Sequence, residues 1–337
     1  MLTRVTQLEQ VLESIKDAVF RVDDKLTVSL MNAAAIKLFK STTWKGEHIA
    51  QVAKVPLFVA FLERGDRKED SSFEFELTRG PHKRQILARV TLQEDGCQVA
   101  VLRDVTTVRR LERMRRDFVA NVSHELRTPI SVVSANAETL LDGALHDKEF
   151  APKLLEAVHR NAERLTLIID DLLDLSRLEA GSYSLHSGRS QVVDVAQRVM
   201  ESLAEKSAAK NTQVVVNIAD DLVVMTDEAA LFQVLVNYLE NAIKYTPAES
   251  KIEISAWRRK EKIRVQVSDN GPGIPEKYRN RIFERFFRVD PGRSREMGGT
   301  GLGLSIVKHL VEAMGGRVGV SQVAPSGSAF WLDLPSE

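Results

Sequence analysis

The chain has 337 residues, enough for two or three domains at roughly 100–200 residues each, and its 43% hydrophobic content can fill packed cores. Lys+Arg 47 balances Asp+Glu 47, which excludes a general electrostatic pull toward nucleic acid or anionic membrane. One cysteine, Cys97, excludes an internal disulfide and suits a reducing compartment; it is expected as a buried strand residue.

No run approaches the ~18 uninterrupted apolar residues that span a bilayer. No basic segment followed by an apolar stretch opens the chain, so no leader peptide is expected. The expected location is the cytoplasm, either as a free sensor or as the cytoplasmic part of a longer protein. Leu2, Val5, Leu8 and Leu12 stand at helical spacing. Strand-like runs follow at Ala18–Val22 and Leu26–Leu30, then a short helix pattern at Ala33–Phe39. Phe73, Phe75 and Leu77 alternate with Glu74 and Glu76, the period-2 pattern of a half-buried strand. Gln85–Leu92 and Gln98–Val105 read as two more strands. Two strands, small helices and three strands, closing on Asp104-Val105-Thr106 at the start of a helix, resemble a PAS domain over residues 1–106.

From Thr107 to about Leu141 the spacing predicts one long helix, with Leu111, Met114, Phe118 and Val122 as its stripe. Asp142-Gly143 marks a turn, and a second helix is predicted from about Glu149 to Glu179. Leu154, Val158, Asn161, Leu165, Ile168, Leu172 and Leu175 follow a four-three heptad pattern. Leu155, Ala162, Ile169 and Leu173 widen the stripe, which suits a bundle. Two such helices cannot cover their stripes alone, so a homodimer is expected, with an antiparallel four-helix bundle built from residues 107–182 of each copy. Arg109, Arg110, Arg113, Arg115 and Arg116 are interleaved with Glu112 and Asp117 and read as a solvated face, not a nucleic-acid contact. Residues 187–337 alternate helix and strand: helices at Val192–Lys210, Glu228–Tyr245 and Leu304–Met314, antiparallel neighbours at Lys251–Trp257 and Lys262–Ser268. A mixed sheet with helices on one face, an α/β sandwich, is expected there. The whole reads as a multidomain α+β chain.

Four motifs stand in order along the chain: His124-Glu125-Leu126-Arg127-Thr128-Pro129, Asn237-Tyr238-Leu239-Glu240-Asn241, Asp269-Asn270-Gly271-Pro272-Gly273 and Gly299-Thr300-Gly301-Leu302-Gly303-Leu304. Together, over roughly residues 105–335, they resemble a sensor histidine kinase of a two-component system. The resemblance implies a phosphoacceptor hairpin, an ATP-binding domain of the GHKL fold, ATP and Mg²⁺ at the site, and a response regulator as partner. A solvent-facing His124 is expected to serve as the nucleophile, because a ring nitrogen of imidazole can attack phosphorus. Glu125 at its flank is expected to bond one ring nitrogen, fix the tautomer and leave the other nitrogen to attack phosphorus. Thr128, four residues on, shares the face of His124, and its hydroxyl is expected to orient a water for the hydrolytic reaction. Pro129 is expected to kink the helix. A zinc site of the His-Glu-x-x-His type is excluded because residue 128 is Thr.

Asn237 and Asn241 share a helix face, with Lys244 one turn on. By the resemblance Asn241 is the metal ligand and Asn237 its support; Lys244 meets phosphate charge and Tyr245 lies against the nucleoside. Asp269 is expected to accept a hydrogen bond from the exocyclic amine of adenine, with Gly271 and Gly273 allowing close backbone approach. Gly299, Gly301, Leu302 and Gly303 form a loop before a helix start, where backbone N–H groups and the helix dipole favour phosphates. Phe283-Glu284-Arg285-Phe286-Phe287-Arg288 resembles the family's phenylalanine-rich box, with Arg288 expected to reach the γ-phosphate and residues 289–300 to form a lid. A GHKL-type ATPase without a phosphoacceptor is disfavoured by the His124 helix hairpin. A ligand-sensing PAS scaffold with an inactive kinase is disfavoured because no motif residue is missing.

Overall fold

The computed structural model describes residues 7, 10–64, 71–79, 82–290 and 299–336. Leu2, Val5 and Leu8 of the expected first helix, and residues 291–298 of the expected lid, lie outside the described residues. The chain divides into two compact units, Met1–Asp117 and Phe118–Glu337.

In the first unit the elements run β1 (Ala18–Val22), β2 (Val28–Met31), α1 (Ala33–Phe39), α2 (Ile49–Ala53), α3 (Pro56–Glu63), β3 (Ser71–Arg79), β4 (His82–Leu92) and β5 (Gln98–Asp104). The strands form one sheet in the order β2-β1-β5-β4-β3, each neighbouring pair antiparallel. The alternation in β3 sends Phe75 and Leu77 into the core and leaves Glu74 and Glu76 outside. Aromatic rings fill the space between sheet and helices. Phe20 meets Phe39 and Phe58 edge-on at centroid distances of 6.1 and 5.9 Å, and Phe58 stacks on Phe75 at 4.9 Å. Buried Asn32 ties the strands to what precedes them. Its Oδ1 accepts from the N–H groups of Val19 and Ala35 at 2.9 Å, and its amide donates to the carbonyls of Leu12 at 3.2 Å and Asp17 at 3.0 Å.

Two expectations in this unit are corrected. The second strand begins at Val28, not Leu26, because Asp23 Oδ1 gathers the N–H groups of Lys25 and Thr27 into a turn with Leu26 at φ 58°. Cys97 is a half-buried turn residue just before β5, its N–H held by Asp95 Oδ1 at 3.0 Å, not a strand residue of the core.

Helix α4 (Thr106–Leu141) spans the boundary between the units and stays helical through Pro129. A turn with Gly143 at φ 120° and a short 3₁₀ segment, Ala144–His146, lead to α5 (Phe150–Glu179). Asp147 Oδ1 accepts from the N–H groups of Glu149 and Phe150, both at 2.9 Å, and so fixes where α5 begins. On α5 the heptad residues Ile168 and Leu175 are buried, whereas Leu155, Ile169 and Leu173 stay exposed.

The rest of the second unit runs β6 (Gly188–Gln191), α6 (Val192–Ser202), α7 (Ala204–Ala209), β7 (Gln213–Asn217), β8 (Val223–Thr226), α8 (Glu228–Tyr245), β9 (Lys251–Arg259), β10 (Lys262–Asp269), α9 (Glu276–Arg279), α10 (Gly303–Ala313), β11 (Arg317–Gln322) and β12 (Ser328–Pro335). Five strands form a sheet in the order β11-β12-β10-β9-β7, with β7 and β9 parallel and the other neighbours antiparallel. Ile263, Val265 and Val267 of β10 pack with Leu235 and Tyr238 of α8 and Ile306 and Leu310 of α10 in one core. The single helix expected over Val192–Lys210 is two helices. Leu203 leaves the helical conformation, at φ −112° and ψ 13°, with its side chain buried in the core.

Candidate functional site

A cavity of about 1300 Å³ opens in the second unit. Asn237, Asn241, Lys244, Tyr245, Asp269, Gly273, Arg288, Gly299, Gly301 and Gly303 all line it. Asp227 starts α8 by accepting from the Ala230 N–H at 2.9 Å, and Lys210 Nζ closes the helix by donating to the carbonyls of Ile243 at 2.5 Å and Lys244 at 3.0 Å. The asparagine face of the helix is thereby fixed at both ends. Asn237 donates to the carbonyl of Gln233 at 3.2 Å, and its Oδ1 lies so close to Gly303 that any Cβ there would collide with it. A side chain at 303 would therefore displace the Asn237 amide from its present position.

Asp269 is buried at the end of β10. Its Oδ1 accepts two backbone bonds, from Gly271 at 2.8 Å and from Ser328 at 3.2 Å; Oδ2 takes neither. Burial raises the carboxyl pKa, and the two N–H groups act against that shift. Gly271 therefore supports Asp269 and does not line the cavity. Lys244 is pushed down to about 8 from an ordinary 10.5, first by burial and then by the positive charge of Arg288. The Leu302 side chain is wholly buried in the core, so it offers the cavity no side chain. Its N–H donates to Thr300 Oγ1 at 3.2 Å, and that hydroxyl donates to Asp171 Oδ2 of α5 at 2.7 Å. Burial raises the pKa of Asp171, which also lines the cavity.

His124, Glu125 and Thr128 lie on α4, outside the cavity lining. His124 is exposed. Thr128 is one turn away, its Oγ1 donating to the His124 carbonyl at 3.3 Å. Glu125 is buried, and in this conformation its carboxylate is not spent on the histidine ring as expected. Its Oε2 accepts from Arg164 Nη2 of α5 at 3.1 Å and from Arg288 Nη2 at 3.0 Å. Hydrogen bonds from guanidinium donors to a carboxylate held out of water are charge-assisted and strong. Arg288 also donates to the Gly299 carbonyl at 2.5 Å. Nearby, Phe118 of α4 lies 5.9 Å from the Phe286 ring, and Arg285 forms an ion pair with Glu179.

Sequence reasoning missed Arg164, Asp171 and the pair Gly327-Ser328. Arg164 and Asp171 carry no local signature; each matters through a partner more than 35 residues away. Gly327-Ser328 sits in a glycine–serine turn before a strand, a signal that was present but ambiguous. A Cβ on Gly327 would collide with the Asp269 carbonyl oxygen, so this glycine is what lets the Ser328 N–H reach Asp269.

Residues 226–337 match the family model described as histidine kinase-, DNA gyrase B- and HSP90-like ATPase, and residues 114–181 match the His Kinase A (phospho-acceptor) domain. The chain is 32% identical over 328 residues to the phosphate regulon sensor protein PhoR of Pseudomonas aeruginosa, covering 97% of this chain and 73% of that protein. It is 31% identical over 342 residues to the sensor protein kinase WalK of Staphylococcus aureus, covering 98% of this chain but 55% of that protein. The chain thus spans about half the length of most of the staphylococcal relatives it matches. Among solved structures, the histidine kinase ThkA in complex with the response regulator protein TrrA shares the fold over 97% of this chain and 98% of that one, with a TM-score of 0.56 at 22% identity.

Proposed function

Because the chain belongs to the sensor histidine kinases, we propose that it is an ATP-dependent autokinase that phosphorylates His124 and passes the phosphoryl group to an aspartate of a response regulator. The observation that carries this reading is the position of Arg288. One guanidinium both lines the cavity and bonds the carboxylate next to His124. The nucleotide site and the acceptor helix therefore share a residue.

In this reading Asp269 Oδ2 accepts from the adenine amine, Tyr245 lies along the nucleoside, and Lys244 with the backbone of residues 299–303 meets the phosphates. No group of three or more His, Cys, Asp or Glu side chains that could hold a metal lies among the described residues. The amide of Asn241 on the cavity wall fits Mg²⁺ carried mainly by phosphate oxygens and water, with Asn241 as protein ligand and Asn237 behind it. Mg²⁺ would neutralise charge on the β- and γ-phosphates. A ring nitrogen of His124 forms the N–P bond to the γ-phosphorus as the P–O bond to ADP breaks. The carboxylate oxygen of the regulator's aspartate then forms its O–P bond as the N–P bond breaks.

We assign residues 1–106 to a PAS-like sensor, 107–182 to the phosphoacceptor hairpin and 187–337 to the ATP-binding domain. The all-antiparallel order β2-β1-β5-β4-β3 supports the first assignment. The exposed Leu155, Ile169 and Leu173 support a homodimer through a four-helix bundle, since contact with a second copy would take that area out of water. Among the described residues no helix is long and apolar enough to cross a membrane, and ATP as donor favours the cytoplasm as the place of reaction.

The test is incubation with γ-labelled ATP and Mg²⁺. Label that survives base and is lost in acid is the expected phosphohistidine; no label, or acid-stable label, overturns the reading. Thr128→Ala should autophosphorylate within about twofold of the parent yet dephosphorylate a regulator it has phosphorylated about tenfold more slowly, because the hydroxyl serves a water and not the ring. Normal dephosphorylation removes that role. Lys244 gives a further readout. Phosphates favour its charged form and so raise a pKa that stands at about 8 in the free protein. ATP binding between about pH 8 and 10 should therefore take up a proton, seen as a dependence of calorimetric heat on buffer ionisation, and Lys244→Met should lose it.

A further inference from the structure

Among the described residues, two guanidinium groups bond Glu125, and they come from different places. Arg288 belongs to the segment that lines the cavity, and Arg164 belongs to α5 of the hairpin. Both Nη2 atoms donate to Oε2, at 3.0 and 3.1 Å. The Arg164 and Glu125 side chains are 16% and 11% exposed, so the pair is largely out of water, and Arg164 does not line the cavity. Arg288 gains a second anion to bind once a triphosphate is present. Arg164, off the cavity wall, does not.

We propose that Arg164 is a positioning residue for phosphotransfer: it holds the Glu125 carboxylate at the flank of His124 when Arg288 leaves Glu125 for the phosphates. The inference rests on the roles given above to Glu125 and Arg288. A desolvated carboxylate that loses a cationic partner swings to water or takes up a proton, and either move ends its service to the histidine ring. Arg164 prevents this because its own partner lies on the same hairpin. The Arg164–Glu125 bond joins α4 to α5 and includes no atom of the ATP-binding segment. A guanidinium suits this role because it is charged at every working pH, and its planar fork holds a carboxylate in one orientation. The two arginines divide the work, one fixed to the acceptor and the other moving to the donor.

The experiment compares Arg164→Gln, Glu125→Gln and the double variant in single-turnover labelling with γ-labelled ATP, with ATP affinity measured by calorimetry. Arg164→Gln should label about tenfold to a hundredfold more slowly at saturating ATP, with ATP affinity unchanged. In the Glu125→Gln background the same change should cost far less, because the proposed effect on labelling runs through Glu125. Arg164→Met, an uncharged side chain of similar reach, provides a second variant should Gln not fold, and should show the same split. Parent-like labelling by an uncharged variant overturns the proposal, as does an equal slowing in the Glu125→Gln background. A parent protein that binds no ATP and takes no label defeats the autokinase reading and this proposal with it; a labelled parent with an indifferent Arg164→Gln defeats this proposal alone.

Discussion

His124→Ala should take labelling from γ-labelled ATP below detection, while ATP affinity stays within about twofold of the parent. His124 is exposed on α4 and lies off the cavity wall, so its removal leaves the nucleotide contacts in place. Other histidines are engaged structurally. His48 caps α2 by accepting the Ala50 N–H at 3.3 Å, His159 lies 3.2 Å from Glu163, and His309 has Nδ1 3.1 Å from the Ser305 carbonyl. None of these has a hydroxyl one turn on and an arginine-held carboxylate beside it. Label that reappears at full stoichiometry on any other residue would remove His124 as the acceptor.

Asp269→Asn should weaken ATP binding about tenfold to a hundredfold with the fold intact. The substituted side chain keeps one oxygen, which can still accept from Gly271 and Ser328 in the place of Oδ1, so the loop after β10 holds its shape. What changes is Oδ2, which becomes an N–H₂ donor facing the donor amine of adenine. One hydrogen bond is lost and two donors are set against each other in a buried site. Inosine triphosphate, which carries an acceptor in place of the amine, should lose far less affinity for the variant than ATP does. Calorimetry showing equal affinity of parent and variant for ATP would refute the assignment of Asp269 to the base.

Most of the cavity wall was legible because its residues act locally. Asn237, Asn241 and Lys244 share a face by helical spacing alone, and the glycines mark places where side chains would collide. Long-range pairing was not legible. The Glu125 carboxylate turns toward Arg164 and Arg288, residues 39 and 163 positions away, and no local pattern records that choice. The break at Leu203 was hidden for a similar reason: burial of one leucine outweighed helical propensity over Val192–Lys210. The glycines around Leu302 mark the loop, but no local pattern tells that its apolar side chain lies in the core.

Phe286 is held at φ 59°, a left-handed conformation that costs a non-glycine residue about 1–2 kcal/mol. Two contacts impose it: its N–H donates to the Gly301 carbonyl at 2.8 Å, and its ring leans on Phe118 of α4. The turn that leads into Arg288 is therefore folded against a local backbone cost, and one hydrogen bond and one ring contact offset it. A change at Phe118 or Gly301, neither of which is Arg288, would thus be felt at the guanidinium through this turn.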